Sequence, residues 1–282
     1  MAVTVRPFTE QHGIKSVVFA LEFAAPLPPE TLMAIRDGDC GAALKAQLPR
    51  QQEQRSIVVS VPNGQMAGVS FQMGADSSSQ PLTGLQYDKV APDGRQEWAV
   101  SIQQNSLLVT CGSYARWRPT SDEAKGFIRT LIPHLNGAVV AIVGLQYVDE
   151  FQSIVAKQQF DLGGLFSRGS QFVPQNMVAR RGPCHSHHGY FDDLDAPPAR
   201  VLNNINVNVL EEPSSFRIEI VGSHRCILRQ PMALADATLL ETDAPLGVVW
   251  ERLHTHNKDI IGDMLIDEVK QAINFGGVIA QN

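Results

Sequence analysis

The densest group of side chains able to do chemistry is Cys184-His-Ser-His-His188, followed by Asp192-Asp193. On an extended chain residues two apart share a face, so His185 and His187 can chelate one ion while His188 points away. His224-Arg-Cys226 repeats that spacing. If the two segments are adjacent, His185, His187, His224 and Cys226 complete a tetrahedral set for zinc or manganese. No established ligand spacing is matched, however. A polar loop between Gly182-Pro183 and Gly189, carrying surface histidines, explains the same residues and implies no cofactor.

Three further groups are open to both functional and structural readings. His254-Thr-His256 falls in a helical stretch, where residues two apart are turned by about 200° and cannot share one metal. Asp149-Glu150 offers two carboxylates for acid–base work, yet neighbours on a strand diverge, leaving one buried or capping group and one solvated. Arg116-Trp117-Arg118 interleaves cations with an aromatic ring, a pattern that can stack on a base. A Trp packed under the following helix, with solvated arginines, is the plainer account. Neither a Gly-x-Ser-x-Gly elbow, a phosphate-binding Gly-x-x-x-x-Gly-Lys loop nor a Gly-x-Gly-x-x-Gly fingerprint occurs.

The elements that must position these groups read as strands and amphipathic helices. Residues 16–23 form a strand stopped by Pro26, Pro28 and Pro29, and Pro29 with Glu30 suits a helix start that runs to Gly38. A second short helix is expected over 40–48. Residues 56–61 and 66–73 flank Asn63-Gly64, a strong hairpin signal, and residues 75–80 form a solvated loop. Two more turns, at Pro92-Asp93-Gly94 and over 103–106, make a meander. Tyr114-Ala-Arg-Trp117 closes a strand, residues 120–123 cap a helix whose buried stripe holds Phe127, Ile128, Leu131 and Ile132, and a strand begins at Ala138.

From 157 to 198, glycines and prolines are expected to break any long element, and the lobe boundary falls near the start of this stretch. Strands follow over 201–210, 216–221, 226–228 and 237–241. Val201, Asn203, Ile205, Val207 and Val209 alternate with Leu202, Asn204, Asn206 and Asn208, the signature of a sheet with one wet face. Pro245 opens a last long helix carrying Val249, Leu253, Ile260, Ile261, Leu265, Ile266, Val269 and Ile273, stopped by Gly276-Gly277. The expected class is α+β: antiparallel meander sheets covered by amphipathic helices in two related lobes, 1–156 and 157–282. The second lobe includes a Gly/His-rich connection over 163–198. Strand connections look too short for crossover helices, which disfavours a parallel doubly wound fold.

Composition narrows the partners. With 44% hydrophobic and 18% charged residues in 282, the chain can bury a sizeable core, and a net charge of −6 disfavours nucleic acid. Four scattered cysteines suit a reducing compartment, and no apolar run is long enough for a membrane helix. Glu22 interrupts the one stretch resembling a secretory leader. A cytoplasmic address is therefore expected.

Tyr114-x-x-Trp117, a helix with Phe127, Val143-Gly-Leu-Gln-Tyr-Val-Asp-Glu-Phe151, Leu239-Leu-Glu-Thr-Asp243 and the helix around Trp250 together resemble a sporadically distributed bacterial family of uncharacterised proteins. That family tends to show Gly-Leu-Arg-Tyr and Ile-Asn where this chain has Gln146 and Val148-Asp149. The resemblance implies a bacterial cytoplasmic α+β protein, an acidic strand before the final helix, and a setting in mobile elements or phage defence. It implies no reaction. The leading expectation is a non-enzymatic macromolecular-interaction or sensing protein with a protein partner or a second copy, acting through a sheet face or an edge strand. The alternatives are a metal-dependent hydrolase using His185 and His187, and a single-stranded nucleic-acid binder at Trp117.

Overall fold

Alternation builds the sheet from its centre outward. In β2 (Ile14–Phe23), Val17, Phe19, Leu21 and Phe23 turn inward while Val18, Ala20 and Glu22 face the other side. β2 lies between β7 (Ser106–Cys111) and β8 (Val139–Ser153). The computed structural model describes residues 3–57, 69–71, 81–135, 137–235 and 237–275. Among them eleven strands join one antiparallel sheet. Beyond β7 come β6 (Gln96–Gln103), β5 (Leu82–Val90), β3 (Arg50–Ile57) and β4 (Val69–Phe71). Beyond β8 come β11 (Phe216–Ala233), β10 (Pro198–Glu211) and, at the far edge, β9 (Cys184–Asp195), while β1 (Val5–Pro7) pairs with the end of β8.

The fold is α+β, as the element pattern indicates, and the meander turns form where expected. β5 pairs with β6 around Gly94, whose φ of 85° is readily adopted only by glycine, and β6 pairs with β7 across Gln103 and Ser106. β3 and β4 are antiparallel neighbours. The Asn63-Gly64 turn, the loop over 75–80 and Gly276-Gly277 lie outside the described residues. Helices α1 (Pro29–Asp37) and α2 (Asp39–Gln47) contact β5, α3 (Trp117–Leu131) contacts β7, and α5 (Pro245–Met264) contacts β8 and β11. Among the described residues no helix is long and apolar enough to cross a membrane.

Several expectations are corrected. Residues 184–195 are strand β9, because every residue is in register with β10 despite the exposed, polar composition; between β8 and β9 lie two 3₁₀ turns (Lys157–Gln159 and Leu162–Gly164), the short helix α4 (Gln175–Val178) and irregular chain. The segments 216–221 and 226–228 are one strand, β11. Residues 237–240 form a 3₁₀ turn, so the segment 239–243 is not a strand. α3 starts at Trp117 after an extended Arg116, with Thr120 buried in its first turn and not capping it. The last helix breaks at Leu265 before α6 (Asp267–Ala272), since Met264 accepts a hydrogen bond from Ser167 and Ile266 donates one to Leu165. β7 and β8 flank β2 and therefore run parallel, joined by α3, so one crossover helix does exist.

Inward side chains divide into two apolar clusters. The first holds Val17, Phe19, Leu145, Tyr147, Val201, Cys226, Trp250 and Leu253, and so draws on both halves of the sequence. The second holds Phe151, Ile205, Ile218, Ile220, Ile260 and Ile261.

Candidate functional site

The seam between the two clusters is polar. Along β8 the inward residues run from Leu145 and Tyr147 of the first cluster to Phe151 of the second, and Asp149 stands between them. On β10, Asn203 separates Val201 from Ile205. Gly222 and His224 occupy the corresponding stretch of β11, and His254 and Asn257 that of α5.

Three of these groups, with Asp192 of β9, form a chain that ends at the sheet edge. The Asn203 Nδ2 group donates to Asp192 Oδ2 at 2.8 Å, which turns Asn203 Oδ1 toward His224 Nδ1, also at 2.8 Å. On the other side of the ring Nε2 lies 3.0 Å from Asn257 Oδ1, so both ring nitrogens face amide oxygens, and a neutral imidazole, with one N–H, donates to one of the two. Burial drives the His224 pKa down to about 4 and keeps it neutral. Asp192 also lies 3.6 Å from His256, whose Nε2 is 3.0 Å from the Tyr190 hydroxyl.

Asn257 opens onto a cavity of about 260 Å³ walled by Tyr114, Trp117, Tyr147, His254 and Phe275, with Asp149 in its lining and Arg116 and Lys258 contributing cations. Asp149 is only 4% exposed, and among the described residues no hydrogen bond is made to its carboxyl. Desolvation raises its pKa to about 7. The Tyr147 hydroxyl meets His254 Nδ1 at 2.8 Å. Burial holds Tyr147 protonated and lowers His254 to about 4, so the phenol donates and the imidazole accepts. A lone buried carboxyl that exchanges its proton near neutrality is suited to hold a proton.

The proposed metal quartet does not assemble. His185 and His187 are in register with Asn208 and Asn206 on the wet face and hydrogen-bond to them, while His224 and Cys226 face inward. β10 also intervenes between β9 and β11, so the two pairs lie on opposite sides of the sheet in strands that do not touch. Among the described residues no three His, Cys, Asp or Glu side chains gather into a metal site. His254 and His256 face different partners, as the helical spacing requires. Asp149 is the buried member of its pair, and Glu150 takes ion pairs with Lys15 and Arg217.

Trp117 is committed to packing. Its ring stacks on His254 at 4.2 Å and on Phe19 at 5.5 Å, and its indole N–H donates to Glu251 at 2.8 Å. Those contacts use the surface a nucleic-acid base would need. Sequence reasoning missed Asn257, Tyr190 and the linking role of Asn203; a polar residue at a dry-face position of β10 was the one available signal.

β9 is the other functional candidate. It terminates the sheet, and among the described residues its backbone pairs only with β10. Most of its side chains are exposed, including Phe191 at 53%.

No family model matches the chain, and no curated protein does. Among solved structures the chain is similar to the di-domain ARO/CYC protein StfQ from the steffimycin biosynthetic pathway, at 10% identity over 92% of this chain and 97% of that one. The TM-score is 0.20, a likeness too slight to bear on fold or function.

Proposed function

We propose that the protein is a non-enzymatic recognition and sensing component that takes a protein partner by strand addition along β9. The observation that carries this reading is the length of the open edge: twelve residues whose outer backbone groups have no partner among the described residues. Unpaired N–H and C=O groups on such an edge supply affinity to any added strand, and alternate side chains supply selectivity. The cavity beside Asp149 is the sensing element of the proposal, because Asn257, His224, Asn203 and Asp192 join its wall to β9.

The two-lobe division at 1–156 and 157–282 belongs to this proposal as a statement about organisation, each half supplying a meander and a long helix to a shared sheet. A cytoplasmic setting is supported by the four scattered cysteines and by the family resemblance, while service in a mobile-element or phage-defence system rests on the resemblance alone.

Proline scanning tests the edge. Adjacent residues of a strand point their N–H groups to opposite sides, so of His187→Pro and His188→Pro one removes an outward donor and the other a β10 ladder bond. The variant that keeps its unfolding midpoint is expected to lose the partner that co-purifies with the wild-type chain from its native host. Undiminished partner recovery with that variant would overturn the reading.

A further inference from the structure

The side chains of β9 are arranged antisymmetrically about Tyr190. His185, His187 and His188 precede it by five, three and two residues, and Asp195, Asp193 and Asp192 follow it at the same intervals. We propose that the strand added to this edge is β9 of a second copy of the chain, running antiparallel about a two-fold axis through Tyr190; the inference rests on β9 being a docking edge.

In that register each histidine meets an aspartate. His185 faces the second copy's Asp195 and His187 faces its Asp193, all on the wet face, while His188 faces its Asp192 on the inward face. Directly opposed residues of antiparallel strands share a face and stand about 5 Å apart at Cβ, within reach of an imidazole–carboxylate hydrogen bond. The two-fold repeats every pair, as an isologous interface requires. Phe191 falls opposite Gly189, where an exposed ring covers the bare backbone of its neighbour, the cross-strand device that compensates a glycine in a sheet. Arg200 already lies 4.6 Å over the Phe191 ring from the β10 side.

The register is selective. A slip that keeps the faces aligned moves the pairing by two residues, and a slip in either direction leaves one His–Asp pair of the three. The groups already around these side chains permit the match. Asp193 lies 3.2 Å from exposed Arg229, Asp192 accepts from Asn203 and neighbours His256, and His185 and His187 rest on Asn208 and Asn206. His188 packs near Phe172 and Tyr190. No like charge on β10 faces either aspartate, because Arg200 is the residue in register with Asp193 and Val201 with Asp192.

Charge exchange tests the proposal with the full chain. Sedimentation equilibrium is expected to show a concentration-dependent dimer that weakens with salt. His185→Asp/His187→Asp and Asp193→Lys/Asp195→Lys, whose altered side chains are exposed, should each raise the dimer dissociation constant at least about tenfold, since carboxylates then oppose carboxylates in the first variant and the imidazoles lose their carboxylate acceptors in the second. Mixing the two variants should restore a heterodimer near wild-type affinity. A wild-type chain that stays monomeric overturns the second copy as partner, as does a mixture no tighter than either variant alone. If such a monomeric chain still loses its co-purifying partner with the edge proline, strand addition at β9 stands with a different occupant; if it retains that partner, both fail.

Discussion

The side-chain amide of Asn257 lies 3.0 Å from His224 Nε2 and directly over Gly222, where an added Cβ would stand 2.2 Å from it. Glycine is therefore what lets a helix residue reach across the seam and satisfy a buried imidazole. Gly222→Ala should push Asn257 away and leave one nitrogen of His224 unpaired in the core. A loss of about 2 kcal/mol is expected. Urea unfolding checks this, and a change within about 0.5 kcal/mol would mean the amide contact is dispensable.

His224 and His254 give stability a defined pH dependence. Burial depresses both to about 4, against 6.5 for a free imidazole. As pH falls, the unfolded chain takes up these protons first, so their contribution is full above about pH 6.5 and is lost progressively toward about pH 4. His224→Gln should flatten its share of that slope. Unfolding midpoints of variant and wild type across the window measure the difference, and parallel curves would rule out a neutral buried His224.

Asp149 acts with the opposite sign. Its carboxyl is raised from 3.8 to about 7 by desolvation, so the folded chain holds the proton longer and loses stability as pH rises through that window. Asp149→Asn removes the buried charge while keeping the shape. The variant should match the wild type near pH 4, gain on it as pH rises, and level off above pH 7 at roughly 2–4 kcal/mol more stable. A variant less stable than wild type at pH 8 would indicate that the carboxylate has a partner in the folded chain.

How much of this was legible follows from range in sequence. The turn at Gly94 and the alternation in β10 are local, and the period-2 pattern placed Asn203 among dry-face residues. Its partner His224 lies 21 residues away, and His224 reaches a further 33 to Asn257, so no spacing rule could join them. β9 was misread because an edge strand exposes both its faces and shows no apolar period. Residues 237–241 were misread for the converse reason: a short apolar run does not distinguish a strand from a 3₁₀ turn packed into the core at Leu240. The metal quartet failed on register and face, two quantities that depend on β10 lying between its halves.

That placement makes a direct prediction about metals. His185 and His187 are exposed and already bonded to asparagines, so zinc finds at most two imidazoles there. EDTA should leave the unfolding midpoint unchanged, and His185→Ala/His187→Ala should shift stability by no more than about 0.5 kcal/mol. Stoichiometric zinc retained through dialysis and lost in that variant would restore a metal role.

Trp117 supplies a sharper contrast between packing and binding. Its ring spans Phe19 on β2 and His254 on α5, and its N–H closes on Glu251, so it ties the start of α3 to both the sheet and the second long helix. Trp117→Ala should cost about 3–5 kcal/mol, because truncating a packed aromatic loses its burial and leaves a cavity. Trp117→Phe keeps the stack and loses only the indole donor to a half-exposed carboxylate, a loss of about 1 kcal/mol. Were Trp117 a nucleic-acid platform, the ranking would appear in affinity for single-stranded oligonucleotides, steeply dependent on salt, with little effect on unfolding. Chemical denaturation and oligonucleotide titration on the same two variants distinguish these outcomes, and the stacking geometry predicts that the difference lies in denaturation.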